Sequence, residues 1–123
     1  MSMLAYQYTE VRPWGRFERL TLNEETTVKI ITVEPGSRLS LQRHYQRDEY
    51  WQMLDDELMV EIDDMIVTTV TGMQFYIPAD TWHRIGNPTD KPARFLEIAF
   101  GEFDEQDIER AEDDFGRIEK DSD

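Results

Sequence analysis

Cysteine is absent from this 123-residue chain, so disulfides, thiol nucleophiles and thiolate metal ligands are excluded. No apolar run approaches the roughly 20 residues that cross a bilayer as a helix. The opening residues, MSMLAYQYTEV, lack the basic, apolar and small-residue zones of a secretory signal. A cytoplasmic location with no membrane partner is therefore expected. Basic residues are scarce: 13 Lys and Arg stand against 27 Asp and Glu, for a net charge of −14. That argues against a nucleic-acid partner, whose backbone demands clustered Lys and Arg. Histidine is scarcer still, with His44 and His83 alone.

What is present is the composition of one small globular domain, 39% hydrophobic and 33% charged. The charge is uneven. Residues 102–123 hold 11 acidic and 3 basic side chains, which reads as a solvated surface segment. Within it, DEQDIERAEDDF (104–115) puts Ile108, Ala111 and Phe115 on one helical face, with Asp104 placed to cap. A short C-terminal α-helix is expected there.

The stretch before it is a string of short β-type segments rich in β-branched and aromatic residues: 16–21, 26–33, 38–44, 49–54, 57–62, 65–70, 73–77, 82–86 and 94–100. Turn formers separate them at Pro35-Gly36, Asp55-Asp56, Asp63-Asp64, Thr71-Gly72 and Asn87-Pro88. Many short strands at close spacing predict an all-β sandwich or barrel. One domain is expected, with a barrel over about 7–101 and the acidic helix and tail over 102–123.

Alternation along 38–46 places Arg38, Ser40, Gln42, His44 and Gln46 on one strand face and Leu39, Leu41 and Arg43 on the other. One face is thus polar and ligand-capable. By itself this equally describes a strand with one side in water. The second histidine lies in Gly72-MQFYI-Pro78-A-Asp80-TW-His83-RIG-Asn87, and the first in Gly36-SRLSL-Gln42-R-His44-YQRD-Glu49-YWQMLD-Asp56. These resemble, in order, the two spacing motifs of the cupin fold. Gln42 stands for the first motif's first His, Asp56 for its final Gly, and Asp80 for the second motif's second Gly. A double-stranded β-helix, or jelly-roll barrel, is what the resemblance implies.

A narrower likeness covers about residues 10–118. Arg12-Pro-Trp-Gly15, Ile31-Thr-Val-Glu-Pro-Gly36, Leu39-Ser-Leu-Gln42, Arg47-Asp-Glu49 with Trp51, Tyr76-Ile-Pro78, His83-Arg84 with Asn87-Pro88, and Glu112-Asp-Asp-Phe-Gly-Arg117 resemble the cupin domain of type II mannose-6-phosphate isomerases. The guanylyltransferase domain joined to that cupin in bifunctional members has no counterpart in these 123 residues. The resemblance implies a divalent metal held by Gln42, His44, Glu49 and His83. Zinc suits two imidazoles, a carboxylate and an amide, with iron, manganese or nickel as alternatives. It also implies interconversion of mannose 6-phosphate and fructose 6-phosphate through an enediolate. The family commonly carries histidine where this chain has Tyr45, Gln46 and Tyr50.

The proton carrier stays open among Tyr50, Asp48 and Lys29. A phosphate dianion needs cations, and Arg38, Arg84 and Arg117 are candidates, with Gln46 as a further substrate contact. Each of these could equally serve a surface or structural ion pair. Trp51 and Trp82 neighbour the proposed ligands, yet read first as core. Two other functions remain open: a cupin enzyme on another small polar substrate, and a non-catalytic metal- or sugar-binding cupin. A homodimer through edge strands is expected.

Overall fold

A computed structural model describes residues 7–117. The end of the expected acidic tail, 118–123, lies outside the described residues.

Alternating sequences pair into two antiparallel sheets and a hairpin. The hairpin joins β1 (Tyr8–Arg12) to β2 (Gly15–Arg19). One sheet has the order β3-β10-β5-β8, from β3 (Thr26–Val33), β10 (Ala93–Gly101), β5 (Arg47–Met53) and β8 (Gln74–Ile77). The other has the order β11-β4-β9-β6-β7, from β11 (Glu109–Glu112), β4 (Leu41–Arg43), β9 (His83–Gly86), β6 (Met59–Ile62) and β7 (Met65–Thr68). Successive strands from β3 to β9 thus largely cross between sheets, which is the connectivity of a jelly roll.

The pleat sorts side chains between two environments. On β5, Arg47, Glu49, Trp51 and Met53 point inward, and Asp48, Tyr50 and Gln52 point out. Trp51 and Met53 join Val33, Leu58, Val60, Phe75, Ile77, Ile85 and Phe95 in the main core. This core fills one end of the barrel. The other end receives Glu49, Glu97, His44 and His83, all buried. A second apolar cluster, Tyr50, Ile98 and Phe100 with Leu20, Leu96 and Tyr76, covers the outer face of the four-stranded sheet.

The turns explain two departures from the motif spacing. Asp80 has φ of +61°, the left-handed region that a glycine adopts without steric cost and that Asp tolerates. At the Asp55-Asp56 turn the left-handed residue is Glu57, with φ of +66°, one place later.

The C-terminal helix expected over 104–115 is not formed. Asp104 receives the N–H of Gln106 on its carboxylate, closing a turn rather than capping a helix. Residues Glu109–Glu112 then run as β11 beside β4, pairing Glu109 with Arg43 and Arg110 with Gln42 and shifting register before Glu112. The edge of β4 offers backbone partners, and that tertiary option overrides a modest helical periodicity. The five-stranded sheet therefore gains its edge strand from beyond residue 101.

Candidate metal site

β5 and β9 bring Glu49 and His83 to one interior point, and His44, just beyond β4, meets them there. Their ligand-capable atoms all lie within 4.8 Å of one another. His44 Nε2 is 3.3 Å from Glu49 Oε2, and His83 Nε2 is 3.8 Å from Glu49 Oε1. The carboxylate is 1% exposed.

The backbone sets both imidazole tautomers. His44 Nδ1 donates to the carbonyl of Asp107 at 2.7 Å, and His83 Nδ1 donates to that of Thr81 at 2.8 Å. Each Nε2 is left with its lone pair facing the cluster, the arrangement typical of metal-ligating histidine. Burial lowers the pKa of both rings. For Glu49, burial opposes ionisation. The neighbouring His83, His44 and Arg47 groups outweigh it and hold the carboxyl below its ordinary value. Trp51 Nε1 donates to Oε1 at 3.0 Å and Arg47 Nε to Oε2 at 3.1 Å. Gln42 lies directly across from His83 in the β4–β9 pair, so the two side chains share a face. Two preset lone pairs, a buried carboxylate and a facing amide fit a divalent metal ion.

The cluster opens onto a cavity of about 190 Å³. The segment joining the two sheets after β10 contributes Phe103, Glu105 and Ile108 to its wall. Four cations line it: Lys29, Arg47, Arg110 and Arg117. That is a concentration of positive charge in a chain of net charge −14. Arg110 Nε donates to Ser40 Oγ at 3.1 Å, and burial with the nearby Arg117 lowers its pKa. Arg117 is held by both carboxylate oxygens of Asp113. Lys29 lies over the Phe103 ring at 4.2 Å and 3.8 Å from Glu105.

Glu97 faces the cavity from β10. Burial, then the adjacent Glu49 charge, push its pKa up to about 8. Sequence reading overlooked Glu97, Arg47 and Arg110. A signal existed for Arg47, which shares the parity of Glu49 and Trp51.

Among the expected residues, Gln42, His44, His83, Lys29 and Arg117 line the cavity, and Glu49 sits behind the imidazoles. The others lie elsewhere. Tyr50 is on the outer face, its hydroxyl 3.1 Å from Gln52. Asp48 also points outward and accepts the Ala79 N–H at 2.8 Å. Both follow from Glu49 pointing in, since neighbours on a strand face opposite ways. Gln46 is exposed because alternation breaks at the bend over 45–46, so Arg47 points inward instead. Arg38 pairs with Asp114 at 2.7 Å on the surface. The backbone is irregular from 38 to 40, and Leu39 packs on the core, contrary to simple parity. Arg84 lies on the outer face of β9, bonded to the Leu39 carbonyl and Glu112. Trp82 stacks on Arg43 at 4.5 Å. Tyr45, Gln46 and Tyr50, the positions at which the resemblance led to an expectation of histidine, are not among the residues that line the cavity.

A jelly roll that converges two histidines and a glutamate at one end defines a cupin with a metal-capable site. Solved structures agree on the fold. A cupin protein from Bacteroides fragilis is 23% identical and superposes with a TM-score of 0.57, covering 65% of this chain and 68% of that one. The capsular polysaccharide assembling protein CapF from Staphylococcus aureus is 20% identical with a TM-score of 0.62, covering 86% of this chain and 34% of that one. The chain belongs to the family described as mannose-6-phosphate isomerase C-terminal, whose pattern matches residues 2–113.

Its curated relatives include the alginate biosynthesis protein AlgA of Pseudomonas aeruginosa, 39% identical over 107 residues. The mannose-1-phosphate guanylyltransferase ManC of Salmonella typhimurium is 34% identical over 108 residues. These matches cover 86% and 87% of this chain but only 22% of each relative. Among the described residues, no helix is long and apolar enough to cross a membrane.

Proposed function

We propose that this domain is a metal-dependent sugar-phosphate isomerase that interconverts mannose 6-phosphate and fructose 6-phosphate. The supporting observation is one cavity that combines the His44–Glu49–His83 cluster, a buried Glu97 of raised pKa and four cations. Gln42, His44, Glu49 and His83 would hold the ion. A bound divalent metal supplies Lewis-acid polarisation of the sugar carbonyl.

The chain's own groups supply the rest. Arg110 and Arg117 offer charge-assisted hydrogen bonds to a phosphate dianion. Lys29, on the opposite wall, neutralises negative charge near the sugar. The isomerisation moves a proton between C2 and C1, and Glu97 is the cavity carboxyl suited to carry it. With a pKa near 8 it can both accept and return a proton near neutral pH. Phe103 and Ile108 shield that transfer from water.

The proposal places this cupin domain in the cytoplasm. It also takes the chain as a homodimer. Support for the dimer comes from β3, an edge strand whose Val28 and Ile30 are exposed.

A coupled assay following fructose 6-phosphate from mannose 6-phosphate, with zinc and then with chelator, tests the proposal. Product formation that chelator abolishes supports it. Absence of product from the zinc-loaded chain overturns it and leaves a binding cupin.

A further inference from the structure

Resting on the metal site proposed above, we propose that Arg47 is that site's resident cation: its guanidinium holds the ligand set in the metal-free chain and leaves His44 Nε2 before a metal ion binds there. Arg47 is 8% exposed and makes contacts on three sides. Its Nε donates to Glu49 Oε2 at 3.1 Å, its Nη2 lies 3.3 Å from His44 Nε2, and its Nη1 is 3.3 Å from the carbonyl of Asp104.

The conflict sits at a single atom. His44 Nδ1 is committed as a donor to Asp107, so the neutral ring has one in-plane lone pair, on Nε2. That lone pair accepts an Arg47 N–H or binds a metal, but not both. The other ligands carry no such conflict. A carboxylate oxygen has two lone pairs, so Glu49 Oε2 can keep Arg47 Nε while it ligates. His83 Nε2 approaches Glu49 Oε1 at 3.8 Å.

Electrostatics adds to the competition. A divalent ion beside a buried guanidinium is repelled more strongly than it would be in water. The guanidinium has a place to go. It already lies at 4.3 Å over the ring of Phe103, which lines the cavity, and reaches the Asp104 carbonyl. A swing about its last bonds frees His44 and turns Nη2 into the cavity. Metal occupancy and the position of Arg47 are then coupled.

The test is isothermal titration of the full metal-free chain with zinc, for wild type, Arg47→Gln, Arg47→Lys and His44→Ala. Arg47→Gln removes both the charge and the competing donor fork, and is expected to bind zinc about tenfold more tightly than wild type. Arg47→Lys keeps the charge and should gain less. Unchanged or weaker zinc binding by folded Arg47→Gln, with His44→Ala abolishing it, overturns the Arg47 proposal and leaves the metal site standing. No zinc binding by any variant overturns both.

Should Arg47→Gln fail to fold, ¹⁵N spectra of the wild type decide. Zinc is expected to shift His44 Nε2 and the Arg47 guanidinium signals together. A shift at His44 with Arg47 unmoved overturns the proposal.

Discussion

The backbone carbonyl of Asp107 lies 2.7 Å from His44 Nδ1, while the carboxylate of the same residue receives the N–H groups of Tyr45 and Gln46 at 2.9 Å each. One residue on the segment before β11 thus fixes both the tautomer of a ligand and the bend that follows it. Asp107→Ala removes the two carboxylate bonds and loosens that bend. Zinc affinity should fall about tenfold, the usual scale for groups that orient a metal ligand. Asp107→Asn, which keeps one acceptor oxygen, should lose less. Calorimetric titration of both variants checks this.

Arg110 reaches the cavity from β11 and is bonded to Ser40, whereas Arg117 is already held twice by Asp113. Both line the cavity proposed to receive the phosphate. Arg110→Met should raise KM for mannose 6-phosphate about tenfold, the scale of one lost charged hydrogen bond. kcat should change little, because the phosphate is remote from the C1–C2 proton transfer. A fall in kcat at constant KM would place Arg110 in the chemistry instead.

Glu97 makes the metal-free chain sensitive to pH. Its folded pKa is raised from 4.5 to about 8, so the folded state binds the proton more tightly than the unfolded state does. The resulting stability is present below 4.5 and is lost as pH rises through about 8. Thermal midpoints of the chelator-treated protein should fall across that window and level off above it. In Glu97→Gln the same slope should be largely absent. Equal slopes in the two proteins would show that Glu97 does not set it.

Tyr50 lies on the opposite side of β5 from the cavity, its ring packed with Ile98 and Phe100. Tyr50→Phe removes the hydroxyl contact with Gln52 and should cost no more than about 1 kcal/mol of stability. kcat/KM for mannose 6-phosphate should match the wild type. A loss of tenfold or more would return Tyr50 to the list of proton carriers.

Much of the fold was legible because period-2 alternation survives wherever strands are regular. The expected segment 26–33 is β3 residue for residue, and His83 with Glu49 fell on inward positions. Parity failed where the backbone left the strand, at 38–40 and at 45–46, and there Arg38 and Gln46 turned away from the cavity. Parity itself separates Asp48 and Tyr50 from the inward-facing Glu49 between them. The strand β1 (Tyr8–Arg12) was missed, since its exposed hairpin carries little hydrophobic contrast.

The sequence alone determined the all-β character, the turn positions and the two motifs that bring His44, Glu49 and His83 into one family, because alternation and turn chemistry are local properties. Tertiary structure decided the rest. Residues 104–115 became a turn and an edge strand because β4 had an unpaired edge to offer. Glu97, Arg47 and Arg110 joined the site because strands distant in sequence face each other across the barrel, and no local pattern records which side chains meet there.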